Sequence, residues 1–441
     1  MNNKFLPVVL TMMFFFGQHC SNVAGESTQS VNTWLEKNLE KYVTVYKELH
    51  ASPELSFEEE RTAAKMAAAT REMGFEVTEH VGGHGVVGVL KNGDGPTLLL
   101  RADMDALPVV EETGLPYASE VRTKDERGVT VGVMHACGHD MHMTMMLATL
   151  DYLASHRSAW QGTLVAIFQP AEERGAGAKA MIADGLLTKF SRPDYALALH
   201  VSSERPAGKL GIGSGYTQAN VDSVDITIRG RGGHGAQPDQ TIDPVVIAAK
   251  LILDLQTIVS RELNPTDPAV ITVGSIHGGT KHNIIGDECK LQLTVRSYSD
   301  EARAHLAEAI RRKAFAAAAS AGAPDPIVEQ SEGTPSLYND PELSDRLRPV
   351  LSNALGEENL EVKQPSMGGE DFGRYGRAGV PIQMMSIGSV SQERLDEYDS
   401  KEGVPSLHSS KYYPDIEPTL RTGVITLTTA AEDLLPPKQS R

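Results

Sequence analysis

At 441 residues the chain is longer than one hydrophobic core usually serves, so two domains are expected. Apolar residues make up 40% and charged residues 22%, the balance of a soluble globular protein, which excludes a disordered or fibrous chain. A formal net charge of −17, with no long run of Lys or Arg, repels a phosphate backbone and excludes nucleic acid as an expected partner.

Lys4 precedes an apolar run from Phe5 to Phe16, and the small residues Val23, Ala24 and Gly25 follow, the pattern of a secretory signal peptide over residues 1–25. The run is about a dozen residues, short of the roughly 20 that span a bilayer as a helix, so no permanent membrane span is expected. The mature chain is then exported, periplasmic or secreted. Cys20 leaves a lipid anchor as the alternative, although Gly17-Gln18-His19 fits the lipoprotein pattern poorly. Beyond residue 25 only Cys137 and Cys289 remain, too few for a disulfide framework, and their positions leave open whether they pair.

From Val31 the series Trp34, Leu35, Leu39, Val43, Tyr46, Leu49 keeps helical spacing, and a second helix is predicted from Phe57 to Met73, ended by Gly74. Apolar runs at Val86–Leu90, Thr97–Leu100, Thr163–Phe168 and Tyr195–Leu199 read as buried strands, with a helix over Asp140–Ser155 N-capped by Asp140. Alternating strand and helix predicts an α/β sheet. Gly83-His84-Gly85-Val86-Val87-Gly88 fits G-x-G-x-x-G but leads into a strand and turn, not the helix that would hold a pyrophosphate. Gly211-Ile212-Gly213-Ser214-Gly215 has no glycine two residues before Ser214, so it is not a nucleophile elbow.

The order then changes. Val221–Arg229, Ala269–Ser275, Glu288–Tyr298 and Pro326–Glu329 read as strands, and Asp243–Leu263 and Asp300–Ala321 as helices. That order, β-α-β-β-α-β, is ferredoxin-like, and it predicts a unit inserted in the larger domain, which resumes with a strand at Pro381–Ser386 and a helix after Pro418.

Several residues can carry chemistry. Cys137 and His139 precede a helix whose end amides favour a thiolate, and thiolate plus imidazole is a metal-ligand pair, though a buried cysteine beside a structural histidine reads the same way. Glu172 and Glu173 lie just past a buried strand, where α/β sheets place ligands; one carboxylate can bind metal while the other moves protons, or both can be a solvated loop pair. His200 closes an apolar strand as a site residue or a capped core histidine, and His408 lies in a polar loop where a surface histidine is equally at home.

Taken together these residues fall in collinear motifs: Arg101-Ala102-Asp103-Met104-Asp105-Ala106-Leu107-Pro108, Met134-His135-Ala136-Cys137-Gly138-His139-Asp140-Met141-His142, Phe168-Gln169-Pro170-Ala171-Glu172-Glu173, Gly233-His234-Gly235-Ala236-Gln237-Pro238 with Thr241-Ile242-Asp243-Pro244, Gly369-Glu370-Asp371-Phe372, and His408-Ser409. With them the chain resembles the amidohydrolase branch of the aminoacylase and carboxypeptidase superfamily, the group containing hippurate hydrolase and the hydrolases of indole-acetyl amino acids. The resemblance covers nearly the whole mature chain. It departs from the usual pattern at Asn283-Ile284-Ile285-Gly286-Asp287, where a proline is more common, and at Gly368-Gly369, where Gly-Ser is.

The resemblance implies a metallopeptidase sheet domain with helices on both faces, over 26–214 and 331–441, and an inserted ferredoxin-like dimerisation or lid domain over 215–330. It implies two divalent metal ions per subunit held by Cys137, His139, Glu173, His200 and His408, with Glu172 as general base and Asp103 orienting a ligand. Sulfur, nitrogen and oxygen donors suit zinc, nickel, cobalt or manganese. His234 is implied to reach the neighbouring subunit's site, hence a homodimer, and Asn283 and Arg296 to hold a substrate carboxylate. The expected activity is cleavage of the amide of N-acyl amino acids or related small amides. A metallo-carboxypeptidase or dipeptidase on small peptides is the alternative, and a non-catalytic binding protein of the same fold a remote one.

Overall fold

The computed structural model describes residues 9–125, 127–399 and 405–437, with side chains from Thr28 onward. Residues 1–8 of the expected signal segment and the Cys20 side chain lie outside that description, and the rest of the segment is described only as backbone of the helix Val9–His50. Among the described residues no helix is long and apolar enough to cross a membrane.

The chain divides into two units, the first comprising Met1–Gly215, Asn339–Gln364 and Tyr375–Arg441, the second Tyr216–Tyr338 and Pro365–Arg374. The apolar runs of the first unit become an eight-stranded mixed sheet in the order Glu76–Thr78, Val86–Asn92, Gly162–Gln169, Thr97–Asp103, Tyr195–Pro206, Ile382–Val390, Leu210–Ile212, Leu360–Val362. Its four inner strands are parallel, and Val86–Asn92 runs antiparallel beside them. Every residue of Ile382–Val390 is buried, Gln383, Ser386 and Ser389 included, as a strand inside a sheet covered by helices requires. The helix His139–Ser155 is apolar nearly all round and buried accordingly.

Register decides what meets at one end of this sheet. Asp103 pairs with Gln169, and Arg101 with Ala198, so Asp103, the turn after Gln169 and His200 come level on three adjacent strands. His200 does not close its strand, as expected from the apolar run; the strand continues to Pro206. The imidazole emerges because the neighbouring strand ends at Asp103.

A second correction concerns Asp140. The helix begins at His139 with Gly138 as its N-cap, because the Asp140 carboxylate is taken up by the buried ring of His50, 2.7 Å from Nδ1.

In the second unit four antiparallel strands lie in the order Ala269–Gly278, Glu288–Ser297, Asn220–Arg229, Ile327–Glu332. Burial alternates along Asn220–Arg229, so the helices Pro244–Thr257 and Asp300–Ser320 cover one face. The connectivity is β-α-β-β-α-β. Asp243 caps the first of these helices through the amides of Val245 and Val246; the single helix expected to Leu263 gives way at Ile258 to a π turn.

Candidate active site

Cys137 and His139 are aimed by the glycine between them. Gly138 has φ 79°, and a Cβ there would stand 2.6 Å from Cγ2 of Val201, so no other residue fits. The His139 Nδ1–H donates to the Asp105 carbonyl at 2.8 Å, which turns Nε2 into the centre, buried and without a hydrogen-bond partner among the described residues. His200 is fixed the same way: Nδ1–H donates to the Val201 carbonyl at 2.7 Å, and Nε2 points at Cys137 Sγ, 3.4 Å away.

Past the end of the strand Gly162–Gln169, the turn Ala171-Glu172-Glu173 brings both carboxylates to the same place. Glu173 Oε1 is 3.8 Å from His139 Nε2, is buried, and has no hydrogen-bond partner; Glu172 Oε2 is 3.9 Å from the same nitrogen. His408, at φ 71°, is anchored by its amide to the Ala136 carbonyl and places Nε2 3.6 Å from Glu173 Oε2. All five expected ligands therefore converge. Cys137, His139 and His200 form one group with donor atoms within 4.8 Å of one another, Cys137, Glu173 and His408 a second, and the thiol belongs to both. Sulfur, nitrogen and oxygen donors this close together fit divalent transition-metal ions, which these five residues would hold.

Residues 99–409 match the family model for peptidase family M20/M25/M40. The chain belongs to this family. It is thereby a metal-dependent hydrolase of amide bonds. It is 40% identical over 330 residues to hippurate hydrolase of Campylobacter jejuni, covering 74% of this chain and 83% of that one. It is 34% identical over 387 residues to thermostable carboxypeptidase 1 of Saccharolobus solfataricus, covering 87% and 92%. Among solved structures, the Bacillus subtilis YXEP protein, a dinuclear metal-binding peptidase of the M20 family, superposes with a TM-score of 0.73 at 30% identity, covering 90% of this chain and 98% of that one.

The electrostatics of this M20 chain correct one expectation. The Cys137 thiol is not pushed down by helix amides. Burial, with Glu173, Glu172 and Asp103 close by, pushes it well above the ordinary thiol range. Burial opposes charge on His139 as well, but Asp103, Asp105 and Glu173 prevail and hold its ring up to about 10. Burial raises the Glu173 carboxyl to about 7 against the pull of His139. So many acidic groups around one point make the centre a trap for cations, and a cation is what turns the thiol into a thiolate.

Asp103 was expected to orient a ligand; the hydrogen bond that orients His139 is accepted by the Asp105 carbonyl. Asp103 instead accepts from His142 Nδ1–H and from Arg101, each at 2.6 Å, and the His142 ring packs edge-on to that of His200. The carboxylate of Asp105 also receives the amides of Glu172 and Glu173, at 3.1 and 3.0 Å, tying the acidic turn to His139. Asp105 and His142 stood in the recognised motifs, but only spatial proximity reveals what they hold.

His234, Asn283 and Arg296 lie in the second unit. His234 and Asn283 are neighbours there: Gly233 and His234 pair with Ile285 and Ile284, and the Gly235 amide donates to the Asn283 carbonyl at 2.9 Å. The loop needs no proline, because the Asp287 carboxylate receives the Gly232 amide at 2.7 Å. Arg296 is half-buried on the strand Glu288–Ser297. A Cβ at Gly369 would stand 2.4 Å from Cγ2 of Val221, which accounts for glycine where serine is more common.

Proposed function

We propose that this chain is an exported binuclear amidohydrolase acting on N-acyl amino acids or related small amides, with ligands Cys137, His139, Glu173, His200 and His408. The observation that carries the reading is the pair of bare buried donors, His139 Nε2 and Glu173 Oε1, 3.8 Å apart, with the other donors around them and Glu172 alongside. The chemistry that two divalent ions would supply, if held by these five residues, is a water molecule of lowered pKa and a polarised acyl carbonyl. Glu172 accepts the water proton and later delivers it to the departing amine. Asn283 and Arg296 bind the substrate carboxylate, and His234 of one subunit donates to the carbonyl oxygen in the partner's site.

The first test is elemental analysis of the purified protein with a hydrolysis panel of hippurate, N-acetyl amino acids and dipeptides. Turnover of acyl amino acids with about two metal ions per chain is expected; dipeptides cleaved faster would favour the carboxypeptidase reading, which the 34% identity to thermostable carboxypeptidase 1 also supports. Bound metal with no turnover on any amide would sink both.

Metal uptake is expected to tighten as pH rises. With His139 held up to about 10 and the Cys137 thiol higher than usual, both carry protons at pH 7, and binding must displace them. Affinity then rises about tenfold per pH unit for each displaced proton. Chelator competition between pH 6.5 and 8.5 measures this, and a flat profile counts against these ligands.

The homodimer is tested by complementation. His234→Ala and Glu172→Gln are each expected to be nearly inactive, and subunit exchange between them to restore up to about a quarter of wild-type activity, since half the dimers are mixed and each has one intact site. No recovery despite demonstrated exchange would refute action in trans.

A further inference from the structure

The helix Glu60–Glu72 is preceded by a glutamate that does not cap it. Glu59 is fully buried and makes no side-chain bond to its own helix. Its Oε1 instead accepts from the Ala171 amide, 112 residues away, at 2.8 Å. With the two Asp105 bonds, three consecutive amides, Ala171, Glu172 and Glu173, are held by two buried carboxylates. The first of the three is under strain: Ala171 has φ 51°, a region that costs any residue with a Cβ. On its other side the Ala171 carbonyl receives the amides of Ala176 and Gly177, at 3.2 and 3.1 Å.

We propose that Glu59 is a positioning residue of the metal centre: its carboxylate holds Ala171 in the left-handed conformation that divides Glu172 from Glu173, sending one toward proton transfer and the other to the metals. One feature sets Glu59 apart from an ordinary buried acid. Its Oε2 has no hydrogen-bond partner among the described residues, so it is kept at a cost to folding. Burial and the nearby Asp105 push its carboxyl up to about 7, and glutamine keeps its shape and its acceptor oxygen. Relaxing the turn would swing both carboxylates, because one backbone reversal sets both directions.

The proposal rests on the assignments of Glu172 and Glu173 above, and its test is read first in metal binding. Metal-free full-length protein is titrated with zinc against a competing chelator, and kcat and KM are measured on the reloaded enzyme. Glu59→Met fills the same volume without an oxygen acceptor. It is expected to weaken zinc binding 10- to 100-fold and to lower kcat by the same order with KM unchanged, the usual effect of losing a group that orients a ligand. Its melting temperature is expected to change little, because the Ala171 amide loses its acceptor while a buried carboxyl whose Oε2 is unpartnered is removed. Glu59→Gln keeps the acceptor and should remain within about threefold of wild type, a small fraction of that loss. Adding Ala171→Gly to Glu59→Met should recover most of the affinity, since glycine adopts the conformation without help.

Wild-type zinc affinity in Glu59→Met, a Glu59→Gln as weak as Glu59→Met, or no recovery in the double variant would each overturn the proposal. Glu173→Gln, titrated in parallel, separates the causes. If it retains zinc, the ligand assignment fails and the positioning role falls with it; if it loses zinc while Glu59→Met does not, only the positioning role fails.

Discussion

Glu172→Gln is expected to lose turnover by about 10²- to 10⁴-fold while keeping both metal ions, because the amide preserves the shape of the side chain but cannot take a proton from water. The neighbouring Glu173→Gln is expected to behave oppositely and to lose metal, since it removes the charged donor that faces both His139 and His408. Two residues that are adjacent in sequence and share one orienting carboxylate, Asp105, are thus assigned separable roles. The measurement is metal content and kcat on the same preparations. A metal-replete Glu172→Gln with an unchanged rate would remove it as the base, and a Glu173→Gln that keeps its metal would remove it as a ligand.

Cys137→Ser should be the most damaging single change at the metal centre. The thiol lies in both donor groups, so its loss weakens both ions at once. A neutral hydroxyl is also a far poorer ligand than thiolate. Activity and metal content should fall together by 100-fold or more, on the order of the largest losses seen when a ligand's support is removed. Normal stoichiometry with normal turnover would show that sulfur is not a ligand. Both Cys137 and Cys289 are free thiols, so alkylation under denaturing, non-reducing conditions should modify both of them.

Periodicity and turn residues sufficed to read the α/β sheet, the ferredoxin-like order and most element positions. Long apolar runs such as Val86–Leu90 and Tyr195–Leu199 have few alternatives to buried strands. The five candidate donors came from the resemblance carried by the collinear motifs; residue type and place alone left Glu172 and Glu173 readable as a solvated pair and His408 as a surface histidine. What the sequence could not carry is whatever depends on the field and fit of residues far apart in the chain. The helix end next to Cys137 argued for an easily ionised thiol, but burial, with Glu173 and Glu172 on one turn and Asp103 at the end of a separate strand, reverses that. Asp103 and Asp105 look interchangeable as neighbours in one motif; strand register points one at His142 and places the other's carbonyl on His139 and its carboxylate under the acidic turn. Nothing in the run Glu58-Glu59-Glu60 marks out Glu59, and only its burial against Ala171 gives it a role. Local pattern determines which groups a segment contributes, since it depends on backbone geometry within a few residues; their protonation and aim are decided by low-dielectric burial and long-range packing, which exist only once the chain has closed on itself.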